Sequence, residues 1–125
     1  MGVSGESSFI TQVVSQSNNG YIALAPDSPG QVIPLYLGEK QYRLNDGAFL
    51  ALDGTAYYTM ELQSVGKAIF GGQGGFFVMT TQGQGTLLAN AYGSIKKIEL
   101  NNQEVTIDNA HVVAWSQTLD YNIHL

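Results

Sequence analysis

The chain contains residues 30–62, GQVIPLYLGEKQYRLNDGAFLALDGTAYYTMEL, a second time as residues 93–125, GSIKKIELNNQEVTIDNAHVVAWSQTLDYNIHL. A shift of 63 positions superimposes the two copies without a gap. The identical positions are Gly30/Gly93, Leu37/Leu100, Ala51/Ala114, Thr55/Thr118, Tyr58/Tyr121 and Leu62/Leu125, and apolar near-matches lie between them. Because the recurring residues are apolar or belong to turns, the repeat predicts a duplicated buried face. It indicates an architecture and no particular chemistry.

Within each copy the spacing of apolar residues is that of short β-strands. Alternation over residues 56–62 gives a strand one inward and one outward face, and the apolar run 48–52 indicates a strand buried on both faces. The corresponding stretches of the second copy predict strands at 104–107 and 119–125, with an apolar run at 111–115. No window of a dozen residues has the spacing of an amphipathic helix.

A pair of strands is predicted ahead of each copy. Residues 9–14 and 21–25 form a predicted hairpin around Ser17–Gly20, where Asn19-Gly20 supplies the positive φ of a tight turn. Residues 76–80 and 86–89 form another around Gly83-Gln84-Gly85. The sequence thus predicts one all-β domain, residues 1–125. It consists of two tandem antiparallel β-sandwich or barrel-like repeats, about 5–62 and 72–125, related by an internal pseudo-two-fold and joined by a linker at 63–71.

The composition and charge of the chain limit the kinds of partner and site that it can have. Charged residues make up 12% of the chain, about half the usual ~25%. The net charge is −5, and the five basic residues include one adjacent pair, Lys96-Lys97, so a nucleic-acid partner is not expected. Cysteine is absent, which excludes disulfides and thiolate sites and fits a reducing compartment such as the cytoplasm. No signal peptide and no membrane span are predicted, because the apolar runs are far shorter than ~20 residues.

The candidate chemical motifs lack the context that their chemistry needs. The glycine-rich stretch 71–75 is followed by Phe76-Phe77 at the start of a strand, whereas a phosphate-binding loop precedes a helix. Asp108, His111 and His124 are too few for a typical metal site. Most carboxylates fall in predicted turns or on outward faces (Asp27, Asp46, Glu61, Asp108, Asp120). We therefore predict no catalytic, cofactor-binding or metal-binding residues, no cofactor and no enzymatic activity.

Several motifs occur in one recurring order over nearly the whole chain: Gly5-Glu6-Ser7-Ser8-Phe9, Leu24-Ala25-Pro26 with Pro29-Gly30, residues 47–51, 83–88, 91–95 and 105–114. In this order they resemble the altered-inheritance-of-mitochondria family, which has many bacterial members. The resemblance implies a fold like that of the tryptophan RNA-binding attenuation protein, with antiparallel β-sandwich repeats often assembled as trimers. It implies no established enzymatic activity and carries over no site residue.

Family members usually extend further at both ends, so the resemblance implies either a compact member or a fragment. In a fragment, neighbouring subunits would supply the strands that the missing ends normally provide. RNA binding is not expected to carry over, because the charge of this chain is wrong for it and a fold does not fix a function.

The preferred prediction is a non-enzymatic, self-associating β-domain with a scaffold or assembly role in a bacterial cytoplasm. Strand edges with few charges favour pairing between subunits, and closed homo-oligomers are the usual result. Aromatic residues are interpreted as core or interface residues, namely Tyr36, Tyr57, Phe76, Phe77, Tyr92, Trp115 and Tyr121. Two alternatives stay open. One is a module that holds a small molecule between repeats or subunits, and the other is a hydrolase that gathers two carboxylates and His111 in one cleft.

Overall fold

A computed structural model describes residues 9–64 and 75–123. The described part is all-β, as predicted, with seven strands and two single-turn 3₁₀ helices. In chain order the elements are β1 (Gly30–Leu37), β2 (Tyr42–Asn45), the first 3₁₀ helix (Asp46–Ala48), β3 (Phe49–Leu52), β4 (Tyr57–Ser64), β5 (Gly75–Gln82), β6 (Gly85–Tyr92), the second 3₁₀ helix (Asn109–His111) and β7 (Ala114–Ser116). Neither of these helices is long or apolar enough to cross a bilayer.

The strands form two antiparallel sheets. One has the order β1-β6-β3 and the other the order β4-β5-β2-β7. β1 pairs along its whole length with β6, from Gly30 opposite Tyr92 to Leu37 opposite Gly85. β4 pairs in the same way with β5. The predicted antiparallel, layered architecture is therefore confirmed.

The predicted hairpin between residues 76–80 and 86–89 is wrong, because β5 and β6 lie in different sheets. The connection between them is bonded to a distant turn. The Thr55 backbone N–H donates to the Gln84 carbonyl (2.9 Å), and the Asp53 carboxylate accepts from the Thr86 N–H (2.8 Å). Gly83 has a φ of +87°, and a Cβ there would lie 2.6 Å from the Thr55 carbonyl oxygen. Glycine at position 83 permits this close approach of two backbone segments, at the point where the chain passes from one sheet to the other.

The hydrophobic core draws on both predicted repeats. The first copy contributes Leu37, Leu44 and Ala48, while β5 and β6 contribute Met79, Leu87 and Ala89. Leu44 and Leu87 are completely buried. The first copy therefore closes its core with strands that precede the second copy in the sequence.

A part-buried polar network fastens the start of β2 to the end of β5. The Thr81 hydroxyl donates to Gln41 Oε1 (2.7 Å) and accepts from the Tyr42 N–H (2.9 Å). The Gln41 amide nitrogen donates to the carbonyls of Gly38 (2.9 Å) and Gly83 (2.8 Å). Thr81 is fully buried, so these bonds satisfy polar groups that water does not reach.

The second copy reproduces the first in part. Its 3₁₀ helix lies 63 positions after the first, and β7 overlaps the end of the predicted apolar run 111–115. The predicted strand at 104–107 is not formed, nor is the one at 119–125 over its described residues, 119–123. β6 is already paired with β1 and β3, and β5 with β4 and β2, so neither of these two strands has a free edge for the second copy. The pseudo-two-fold relation stays a prediction.

Residues 9–29 belong to no strand, so the predicted ladder between 9–14 and 21–25 is not formed. The chain still bends at 16–18, and it folds back far enough that a Cβ on Gly20 would lie 2.9 Å from Ser15 Oγ. In the described backbone none of residues 17–20 has a positive φ. Without a ladder to continue, the turn does not need the tight hairpin geometry.

The predicted domain organisation is partly outside the described residues. These exclude the Gly5–Ser8 part of the first motif, most of the linker at 63–71, the glycine-rich residues 71–74 and His124. The linker's first two residues, Gln63 and Ser64, belong to β4.

Candidate functional site

Of the residues considered for catalysis, Asp108 and His111 form a capped turn, and others are exposed at the surface. The Asp108 carboxylate accepts a hydrogen bond from the Ala110 N–H (3.1 Å) and so caps the second 3₁₀ helix. The His111 N–H donates to the Asp108 carbonyl (2.9 Å) within the same turn. Asp27, Glu61 and Asp120 are exposed. Within residues 9–64 and 75–123, no three His, Asp or Glu side chains come close enough together to hold a metal ion.

The aromatic residues divide into two groups. Trp115 packs edge-on against Tyr121, with ring centroids 5.2 Å apart, and the Arg43 guanidinium lies 5.3 Å from the Tyr121 ring centroid. Tyr36, Tyr57 and Tyr92 are exposed on the strands instead. The contacts of the first group stabilise the pairing of β2 with β7. The second group lies at the surface, where a partner can contact it.

Two stretches without strand structure expose a dense set of large apolar side chains. We call residues 9–25 the N-terminal segment and residues 93–108 the second-copy segment. Exposed aliphatic and aromatic residues include Ile10, Val13, Val14, Tyr21, Ile22 and Leu24 in the first, and Ile98, Val105 and Ile107 in the second. The N-terminal segment contains no charged residue. Apolar surface of this extent is typical of an interaction site.

The first copy shows how the matching apolar residues pack when other strands cover them. Leu44 on β2 is 0% exposed, whereas its match in the second copy, Ile107, is 45% exposed. Leu37 on β1 is buried and its match Leu100 is half-buried. The second-copy segment therefore presents to solvent a set of side chains that form core in the first copy.

A cavity of about 300 Å³ is lined by residues of both 3₁₀ helices and by Tyr92 and Asn109, which flank the second-copy segment. The Asn45 side chain lies in the cavity wall. Its amide nitrogen donates to the carbonyls of Asn109 (3.2 Å) and Val112 (2.6 Å). Asn45 Oδ1 is buried and accepts no hydrogen bond. The Asn90 amide donates to the Ala48 carbonyl (3.1 Å).

The lining of this cavity is amide, small apolar and aromatic, with Phe77, Tyr92, Val112 and Val113 beside the asparagines. Among the described residues, none that lines the cavity carries a carboxylate, imidazole or ammonium group. Such a wall suits the binding of a small neutral molecule. The repeat alone does not predict this cavity, because Asn45 and Asn109 are 64 positions apart and meet only in the folded chain.

Comparisons with known proteins agree on one family. The family model described as Mitochondrial biogenesis AIM24 matches residues 1–125. An uncharacterized protein of Streptococcus pyogenes serotype M6 is 71% identical over 123 residues, which are 98% of this chain and 49% of that protein. A crystal structure of a Streptococcus pyogenes protein superimposes with a TM-score of 0.71 at 66% identity, covering 81% of this chain and 44% of that one.

The chain thus spans about half the length of the relatives that it matches. The match over all of its residues confirms the family resemblance drawn from the turn and core motifs, and the chain belongs to the Mitochondrial biogenesis AIM24 family.

Proposed function

We propose that this chain is a non-enzymatic, self-associating β-domain that serves as a scaffold or assembly element. The observation that carries the proposal is the exposure of core-type residues in the N-terminal and second-copy segments. Covering an aliphatic side chain such as Ile22, Leu24 or Ile107 stabilises an assembly by about 1.5–3 kcal/mol. A homo-oligomer supplies that cover, and the family resemblance favours a trimer.

Three further features support a structural role. The Asp108–His111 turn uses its polar groups for capping. The described residues of the cavity wall include no acid–base group, and those of the chain bring no metal-binding cluster together. The low charge content fits surfaces that are hidden in an interface. We place the assembly in the cytoplasm, because a chain without cysteine suits a reducing compartment.

The proposal predicts a discrete oligomer in solution. Light scattering after size exclusion at two protein concentrations should give a fixed multiple of the chain mass. Because each copy carries a net charge of −5 and the contacts are apolar, added salt should leave the mass unchanged or raise it. A monomer at every practical concentration would refute self-association, and dissociation by salt would refute an apolar interface.

The cavity favours a second candidate function, a module that binds a small molecule. Thermal-shift screening with amino acids, sugars and other small neutral metabolites should then raise the melting temperature for a defined chemical class. Ala110→Trp fills the cavity from the second 3₁₀ helix and should abolish that response. Thr118→Trp, at an exposed position outside the cavity lining, is the matched control and should retain it. A flat response of the unmodified chain to the whole panel would argue against this candidate.

A further inference from the structure

We propose that Asn19 is a site of spontaneous deamidation, a modification that converts its side-chain amide to a carboxylate without an enzyme. This reaction is fastest where glycine follows asparagine, where water reaches the side chain, and where the backbone is free to turn toward it. Asn19-Gly20 meets all three conditions. It is the one Asn-Gly pair in the sequence.

The reaction depends on the missing side chain of Gly20. Its backbone nitrogen, on losing its proton, forms a bond to the side-chain carbonyl carbon of Asn19, while the bond from that carbon to the amide nitrogen breaks and ammonia leaves. A Cβ on the second residue would obstruct this approach, and glycine has none. One water molecule then opens the five-membered imide at either of its two carbonyls. The products are aspartate and isoaspartate, in which the backbone runs through the former side chain.

The fold leaves both reacting groups unengaged. Asn19 and Gly20 are exposed and belong to no strand. Within the part of the chain that the structure describes, neither the Asn19 amide nor the Gly20 N–H makes a hydrogen bond, and the nearby bonds join Ser15 to Ser17 instead. The Ser15 hydroxyl donates to the Ser17 carbonyl (2.5 Å) and accepts from the Ser17 N–H (3.3 Å). The backbone at 19–20 is therefore free to bring the two atoms together.

Other asparagines of the chain lack one condition or more. Asn45 and Asn90 donate through their amide nitrogens to backbone carbonyls, which holds their side chains in place. Asn18 is also exposed, but the residue after it, Asn19, has a side chain that obstructs the attack. Asn18 is therefore an internal control, adjacent to the reactive site and matched to it in residue type and exposure.

Deamidation places a charge in a part of the molecule that has none. The N-terminal segment, residues 9–25, contains no charged residue, and one new carboxylate changes the net charge of the chain from −5 to −6. Its effect on assembly rests on the proposed self-association through this segment. Asn19 lies in the polar turn between the two apolar stretches, so the carboxylate forms at the rim of the contact. Charge at a rim weakens association modestly, and here it accumulates as the protein ages.

Incubation of the purified chain at mildly alkaline pH, followed by digestion and mass spectrometry, tests the modification. We expect Asn19 to convert progressively while Asn18 remains an amide, and the rate to rise with pH because the attacking nitrogen must lose its proton. Both aspartate and isoaspartate should form, with one heavy oxygen each when the water is isotopically labelled. Gly20→Ala should slow the conversion by an order of magnitude. Asn19→Gln should abolish it, since glutamine cannot close a five-membered ring.

The same incubation in urea measures how far the fold protects the site. Because residues 19–20 form no strand, the native chain should react nearly as fast as the unfolded chain. A native rate far below the unfolded rate would overturn the assignment of a free turn. Conversion of Asn19 no faster than that of Asn18, or formation of aspartate alone, would overturn the proposed reaction.

Light scattering over a dilution series tests the effect on assembly. Asn19→Asp reproduces the new carboxylate and should raise the dissociation constant about two- to fivefold. Asn122→Asp is the matched control, since it makes the same change at an exposed position outside both apolar segments, and it should leave association unchanged. No effect of Asn19→Asp, or equal effects of both variants, would overturn the link to the N-terminal segment. A monomer would refute the proposed self-association, whereas an unreactive Asn19 would overturn the deamidation itself.

Discussion

Leu44→Ala is expected to lower the free energy of unfolding by about 2–5 kcal/mol. Leu44 is 0% exposed on β2, opposite Met79 of β5 and Ala114 of β7, so truncation leaves a cavity that sheet pairing on both sides prevents from collapsing. A domain of this kind is stable by roughly 5–15 kcal/mol, so the loss is a large part of the total.

Leu62→Ala is the matched control, since it removes the same atoms from a residue that is 62% exposed on β4. Its expected effect is below about 1 kcal/mol. Urea unfolding followed by the fluorescence of Trp115, the single tryptophan, reports on both variants from β7, next to the substituted strand. Equal losses for the two variants would contradict the assignment of the core to the space between β2 and its neighbours.

The strands of the first copy were predictable because their information is local. Alternating apolar residues over 57–62 and the continuous run at 48–52 correspond to β4 and β3, and Leu44 and Leu37 were predicted as part of the duplicated buried face. Even the 3₁₀ turns recur at the spacing of the repeat. The side-chain period correctly predicts that Tyr58 and Met60 face inward, but Leu62, also predicted to face inward, is 62% exposed. The predicted burial of residues 48–52 on both faces is wrong for β3, which is half-buried at the end of its sheet.

The pairing of strands was not predictable to the same degree, because it depends on contacts between distant residues. Residues 83–86 resemble a hairpin turn, but bonds to Asp53 and Thr55 fix their course. The stretches at 9–14, 21–25 and 104–107 have strand sequences and no strand structure, since a strand forms only where it pairs with another strand. The β-propensity of its residues identifies a stretch that can form a strand, and the presence of a strand to pair with decides whether it does.

The candidate sites also divide into features that local sequence predicts and features that depend on contacts between distant residues. The apolar segments are visible in the sequence as predicted strands, and what the structure adds is that they are uncovered. The cavity and the Gln41–Thr81 network combine polar residues separated by 40 positions or more, at places where the alternating pattern predicts nothing distinctive. A polar residue at a strand end is normally exposed, so sequence alone gives no reason to single out Thr81.

Replacing both Ile22 and Leu24 with aspartate is expected to weaken self-association by at least about 100-fold. Each side chain contributes about 1.5–3 kcal/mol when it is covered, and 1.4 kcal/mol corresponds to a tenfold change in the dissociation constant. The substitutions also change the net charge of each copy from −5 to −7, which increases the repulsion between copies. Within one chain both residues are exposed, so the free energy of unfolding of the monomer should change little.

The control adds the same charge elsewhere. Val32 and Tyr36 are 39% and 70% exposed on β1, outside both apolar segments, and Val32→Asp/Tyr36→Asp should leave the oligomer intact. Light scattering over a dilution series measures association, and urea unfolding verifies that each variant is folded. If both double variants dissociated equally, general repulsion would explain the result. If neither dissociated, the N-terminal segment would not be part of the interface. Dissociation of the Ile22→Asp/Leu24→Asp variant alone would locate the contact at the apolar side chains of the N-terminal segment.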